Sequence, residues 1–397
     1  MKILTVIASL APRYGGPAKS CPELDQALAR RGHEVSLYTT NWDGPGVLPV
    51  PTDHPVMQSG VAVHYFPIQR PRFWGFSYPL AQALRDTISR FDIVHIYSLY
   101  LFHGLATRYY CTRYGVPFVI QPHGSLDPYL YKRHRFRKWI AEWLYDDKTL
   151  RSAAAIIYNS EEEERIAKGQ VRGLPFMVVP GGLYIDDYER LPARGQLRAR
   201  YPAMQGKKLI LFLSRINFKK GIDILVSAYA ALARTRQDIH LLIAGPDNEG
   251  YAGQVRQWCE RDGISDRVTL TGMLSETDKL KAFADADIFA LPSYTENFGT
   301  VILEAMASGL PVVISDQVNT WREIKAAGAG QVARCEATDV AEKMAYLLDH
   351  PNESKQMGQN GRQLVRDRFQ WDQVAIQQEK AYETVLHQNP APVGAHA

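Results

Sequence analysis

A carboxylate in a loop, and a second about a turn into the helix that follows, mark Pro292-Ser-Tyr-Thr-Glu-Asn-Phe-Gly-Thr-Val-Ile-Leu-Glu-Ala-Met-Ala-Ser-Gly-Leu-Pro311 as the chain's most chemically suggestive stretch. Glu296 and Glu304 stand with seven residues between them. The helix is expected from about Thr300 to Ser308, stopped by Gly309 and Pro311. The amides of Asn297, Phe298, Gly299 and Thr300 then point out of the helix N-terminus, where an anion such as phosphate is held. Carboxylates beside such a site suit the holding of hydroxyls, and a sugar nucleotide has hydroxyls on both sides of its diphosphate. Arg215 and Lys220, five apart in Ser214-Arg-Ile-Asn-Phe-Lys-Lys-Gly221, add two cations able to neutralise a departing diphosphate. In the first half of the chain, Gly15 and Gly16 would let a backbone approach a ligand closely. His123, in Pro122-His-Gly-Ser-Leu-Asp-Pro128, follows an apolar strand, where open α/β sheets place their ligands.

Other chemistries fit less well. Asp285-Ala-Asp287 has a metal-binding D-x-D spacing but precedes a strand, the wrong end for a ligand. Gly328-Ala-Gly-Gln-Val-Ala333 matches a dinucleotide fingerprint literally, yet it follows a helix and reads as a turn. Gly15-Gly-Pro-Ala-Lys-Ser20 lacks the spacing of a P-loop, and no hydrolase signature is present. The run Glu161–Glu164 behind Ser160 is expected to cap a helix rather than bind metal. The four cysteines, Cys21, Cys111, Cys259 and Cys335, are scattered, which argues against zinc and disulfides and fits a reducing, cytoplasmic compartment. No metal site is expected.

These residues need elements to hold them. With 397 residues, 46% hydrophobic and 22% charged, the composition suits two globular α/β domains, and a net charge of +4 is too mild to suggest nucleic acid. Met1 to Ser9 reads as a buried first strand rather than a signal peptide, and Pro17 to Arg30 as the next helix. Strands are expected at 35–40, 61–66, 93–97, 117–121, 153–158 and 176–179. Hydrophobic periodicity fades between Leu183 and Lys207, where a linker is expected. The second half repeats the alternation, with strands at 208–213, 240–244, 268–270, 288–291 and 312–314. Gly245, Met273 and Leu274 lie just after two of these strands. The pattern gives two Rossmann-like α/β domains, 1–187 and 188–369, then a last helix at 370–388 and a tail (389–397). The domains are expected to face each other across a ligand cleft. No apolar run reaches membrane-span length, so membrane contact would be peripheral. A helix over Tyr131–Leu150 begins with a basic, aromatic surface (Lys132, Arg133, Arg137, Lys138, Trp139, Trp143), the mixture that touches anionic lipid.

The segment Pro-Ser-x-x-Glu-x-Phe-Gly-x-x-x-x-Glu-Ala-x-Ala-x-Gly-x-Pro-Val resembles the E-x7-E signature of retaining glycosyltransferases of family 4, the group 1 glycosyltransferases with the GT-B fold. Ser214-Arg215 through Lys220-Gly221 resembles that family's phosphate loop, with Ser in place of its first Gly. Val178-Val-Pro-Gly-Gly182 resembles an interdomain element whose usual Asn is here Gly181. The resemblance spans about residues 1 to 385, and it implies an N-terminal acceptor domain (1–187) to which the helix at 370–388 crosses back and a C-terminal nucleotide-sugar domain (188–369). It implies that Arg215 and Lys220 bind donor phosphates, Glu304 the ribose, and Glu296 with the following amides the transferred sugar. It places Gly16 near the diphosphate, His123 near the sugar, Met273 and Leu274 near the base, and Gly15 and Gly245 among the donor-binding loops. It further implies transfer with retention by front-side attack, without a protein nucleophile or cofactor. The donor expected is a nucleotide sugar, UDP-glucose foremost, and the acceptor a glycan or lipid-linked saccharide in polysaccharide assembly. A nucleotide-sugar epimerase, a phosphorylase or a non-catalytic relative are the alternatives.

Overall fold

The computed structural model describes residues 1–127, 147–169, 171, 173–247 and 249–389. The basic, aromatic surface at 131–143 and the tail beyond 389 lie outside them. The chain divides into two units, Met1–Gly182 with Trp371–Ala397, and Leu183–Gln370.

The strands of the N-terminal unit are β1 (Lys2–Ser9), β2 (Glu34–Thr40), β3 (Trp42–Asp43), β4 (Gly46–Val47), β5 (Val56–Gln58), β6 (Val61–Phe66), β7 (Ile93–Tyr97), β8 (Phe118–Gln121), β9 (Ala155–Tyr158) and β10 (Phe176–Val178). Eight of them form one sheet, ordered β10-β9-β8-β7-β1-β2-β6-β5, and β3 pairs with β4 apart from it. Among the described residues, only β5 runs antiparallel in the large sheet. β1 is central, with Ile3 paired to Val35 on one side and Ile93 on the other. Its near-continuous burial explains why Lys-Ile-Leu-Thr-Val-Ile-Ala-Ser reads as an apolar run: both faces of a parallel sheet are covered. The strand order reverses between β1 and β7, so the crevice beyond their C-terminal ends is where such a sheet binds ligands.

The last helix, Trp371–Gln388, belongs to this unit and packs on the helix Gly16–Arg30. Trp371 Nε1 donates to Glu23 (2.9 Å), Arg31 Nε to Glu379 (2.8 Å), and Tyr382 OH meets His95 Nδ1 at 2.7 Å inside the core.

The second unit holds β11 (Lys208–Leu213), β12 (Ile239–Ala244), β13 (Val268–Gly272), β14 (Ile288–Leu291), β15 (Val312–Ser315) and β16 (Gly330–Ala333). They form a parallel sheet ordered β13-β12-β11-β14-β15-β16. Here the order reverses between β11 and β14. Two details differ from the expectation of a linker over 183–207. The unit begins at Leu183, and Leu183, Ile185, Tyr188, Leu197 and Met204 are buried in its core. Their spacing is irregular because short turns, not a long helix, carry them. The D-x-D pair holds this segment. Asp285 accepts from the amides of Leu197 and Arg198 (both 2.9 Å), while Asp287 pairs with Arg194 and Arg198.

Candidate active site

The C-terminal unit assembles its polar residues at the switch point. β11 runs into the loop carrying Arg215 and Lys220, and β14 into the loop carrying Glu296. The loops are stitched together. Tyr294 N donates to Lys219 O (2.8 Å), and Tyr294 OH donates to Asp223 (2.6 Å). Gly221 lies at φ 63, and a Cβ there would come within 1.9 Å of Pro292 O, so the close approach requires glycine. Across this seam Lys220 Nζ donates to the Glu296 carboxylate in a direct ion pair. Lys220 is 9% exposed. Arg215 is exposed and makes no ion pair among the described residues.

Glu296 is fixed from a third side, since its amide donates to Gln317 O (3.1 Å) and its carbonyl accepts from Asn319 N (2.9 Å). Gly299, at φ 77, is the N-cap of the helix Thr300–Ala307, whose first bond is Ile302 N to Gly299 O (2.8 Å). Among the described residues, the amides of Asn297, Phe298, Gly299 and Thr300 donate to no protein acceptor. Thr320 Oγ1 donates to Phe298 O (3.2 Å), and Phe298 packs edge-on against Phe369, so the loop is held from behind.

Glu304 lies inside that helix, 6% exposed. Lys279, from the helix Glu276–Asp285, donates to it at 3.1 Å. Burial works against the Lys279 charge, but Glu304 and Glu276 outweigh it and hold the ammonium above the ordinary lysine value. Sequence reading missed Lys279, because a helical lysine carries no local sign of a partner 25 residues away. The base-side residues divide. Leu274 packs against the core, and Met273 is 73% exposed. Gly245 N donates to Gly272 O (2.8 Å), which ties the loop after β12 to the end of β13.

In the N-terminal unit, Gly15 (φ 82) precedes the helix that opens at Gly16. A Cβ on Gly16 would meet nothing within 4 Å, so packing does not explain glycine there. His123 opens the turn after β8 at φ 49, a conformation uncommon for a residue with a side chain. Its ring stacks on Tyr97 at 5.1 Å, and burial lowers its pKa to about 4, so the imidazole is neutral. Ser98 (φ 67) and Tyr100 (φ 69) carry further left-handed backbone just after β7. Sequence alone does not single these two out, since neither residue type signals that conformation.

Two family models match the chain: glycosyl transferases group 1 over residues 194–364 and glycosyltransferase family 4 over residues 14–187. An uncharacterized glycosyltransferase of Methanocaldococcus jannaschii is 24% identical over 97% of this chain and 99% of its own. A GDP-mannose-dependent alpha-(1-6)-phosphatidylinositol monomannoside mannosyltransferase of Mycobacterium tuberculosis is 33% identical, over 50% of this chain and 53% of its own. About half of that relative's length is therefore spanned. The solved structure of Anabaena HepE in complex with UDP and glucose superposes with a TM-score of 0.77, covering 97% of this chain and 100% of that one at 20% identity. At that identity the likeness speaks for the fold, two Rossmann-like domains of the GT-B type. The two matched models follow one another along most of the sequence, and the chain belongs to the group 1 glycosyltransferases of glycosyltransferase family 4.

Proposed function

We propose that this enzyme is a retaining, metal-independent hexosyltransferase that takes its sugar from a nucleotide diphosphate donor, UDP-glucose foremost. The carrying observation is the Lys220–Glu296 ion pair at the switch point, beside the undonated amides of Asn297–Thr300. A phosphate at those amides would meet the Lys220 ammonium and the exposed Arg215 guanidinium, which oppose the charge that grows on the leaving diphosphate. Glu296 keeps acceptor capacity for hydroxyls of the transferred sugar. Glu304, oriented by Lys279, is assigned to the ribose, and the backbone at Gly245, Met273 and Leu274 to the base and its surroundings. Gly15, Gly16 and His123 are assigned to the diphosphate and sugar of the same donor. The leaving phosphate takes the acceptor proton in a front-side attack, so no side chain need act as nucleophile. Transfer from UDP-glucose and from GDP-mannose, run with excess chelator and with the product anomer read by proton NMR, tests the reading. A product of the donor's own anomeric configuration is expected. An inverted product, or transfer abolished by chelator, would contradict it.

The proposed acceptor is a glycan or lipid-linked saccharide. Support comes from the Mycobacterium relative, whose name gives a phosphatidylinositol monomannoside as acceptor, and from the basic, aromatic sequence at 131–143. Among the described residues, no helix is long and apolar enough to cross a membrane. Peripheral attachment at a cytoplasmic membrane face is proposed. Sedimentation with anionic vesicles should carry the protein down, and neutralising Lys132, Arg133 and Arg137 should release it; sedimentation indifferent to lipid charge would discard the attachment.

A further inference from the structure

Glu163 sits in the run of four glutamates that sequence assigns to capping, and the structure gives it a second task. Ser160 does cap the helix Glu161–Ala167, accepting from Glu163 N at 3.1 Å. The Glu163 side chain turns the other way, toward the loop after β8. Its Oε1 accepts from Gly124 N at 2.7 Å, and its Oε2 from Asn159 N at 2.7 Å. Both bonds are buried. Gly124 (φ 75) follows His123 (φ 49), so two successive left-handed residues make this turn, and the Glu163 carboxylate grips it at the second.

The same carboxylate orients Asn159. Oε2, which already accepts from Asn159 N, also accepts from the Asn159 side-chain amide nitrogen at 3.2 Å. The Asn159 oxygen therefore faces Gln121 Nε2, at 2.9 Å. The other hydrogen of that nitrogen is directed at His123 Nδ1, 3.3 Å away. A donor facing Nδ1 makes it the acceptor nitrogen of the ring, and the proton of a neutral imidazole must then sit on Nε2. Tyr97, stacked on the ring, holds its plane. His123 Nε2 is buried and has no hydrogen-bond partner among the described residues.

We propose that Glu163 and Asn159 are positioning residues: Glu163 fixes the backbone of His123, and Asn159 fixes its imidazole as the Nε2–H tautomer. His123 thereby presents a hydrogen-bond donor to an oxygen of the transferred sugar and is not the base that deprotonates the acceptor. This rests on the assignment of His123 to the donor sugar made above.

The test is a 15N NMR spectrum of the full chain labelled at histidine, with the His123 signals identified by their loss in His123→Gln. The wild type is expected to show a protonated Nε2 and an unprotonated Nδ1. Asn159→Leu removes the donor facing Nδ1, so the single tautomer should be lost and kcat/KM should fall on the order of 10²-fold, the scale of a misplaced catalytic contact. Glu163→Gln, which cannot accept both amides, should also lose the single tautomer and serves if Asn159→Leu fails to fold. A wild-type Nδ1–H tautomer, or an unchanged 15N pattern in the folded variants, overturns the proposal. Full activity in His123→Gln would instead remove the sugar-contact assignment. The tautomer measurement needs no turnover, so the two failures are distinguishable.

Discussion

The Lys220–Glu296 pair concentrates the account at the level of single residues. Both partners are largely buried, and each holds the other in place. Lys220→Ala or Glu296→Ala should therefore cut transfer by at least ~10²-fold, as loss of a preorganised electrostatic contact does, with the circular dichroism spectrum unchanged. Wild-type rates in both variants would sink the site assignment. A second residue-scale prediction concerns Asp25, buried beside Thr5, whose hydroxyl donates to it at 2.8 Å. Burial pushes its carboxyl up to about 8, against the lowering effect of that hydrogen bond. The unfolded chain releases this proton near pH 4, so as pH rises toward 8 only the folded state still holds it. Stability should fall across that window. The histidines His95, His103, His123 and His240, lowered chiefly by burial, act in the opposite sense but only below about 6.5. Urea midpoints at pH 6.5 and 8 should accordingly drop for the wild type and stay level for Asp25→Asn; a level wild type would contradict the burial argument. The two glutamates were legible in the sequence, because their spacing is local. Lys220 was legible too, but its pairing was not: it lies 76 residues from Glu296, as Lys279 lies 25 from Glu304, and no periodicity encodes a contact over such separations.

Strands and loops were legible where chemistry is continuous along the chain. Apolar runs such as Ile288–Leu291 and Val312–Ser315 read as buried parallel strands because both faces are covered. The order of those strands, and hence the switch point that brings the loops after β11 and β14 together, follows from pairing alone and leaves no local mark. Gly221 is the element-scale consequence. Its left-handed backbone and its approach to Pro292 O let the two loops touch. Gly221→Ala should cost about 1–3 kcal/mol from the strained backbone and lose donor binding, seen as a lower denaturation midpoint together with a weaker nucleotide response. A variant with full stability and full binding would show that the loops need not meet this closely. The stretch 183–207, whose fading periodicity suggests a linker, is part of the second unit for a related reason. Its buried residues are spaced by turns, and Asp285 and Asp287 tie it down from a distant strand start.

For the molecule as a whole, the sequence carried the two-unit architecture, since each half repeats the strand–helix alternation. The return of Trp371–Gln388 to the N-terminal unit rests on long-range contacts with Glu23, Arg31 and His95. Family membership establishes a glycosyltransferase, and the site residues carry the proposal of what it transfers. Thermal unfolding of the full chain with UDP-glucose, GDP-mannose and UDP, in chelator, is the most direct test. A ligand present at 100 times its Kd stabilises the native state by about 2.7 kcal/mol. UDP-glucose should raise the wild-type midpoint accordingly, and the rise should vanish in Lys220→Ala and Glu296→Ala. No shift with any nucleotide sugar, or a shift that survives both substitutions, would contradict the account.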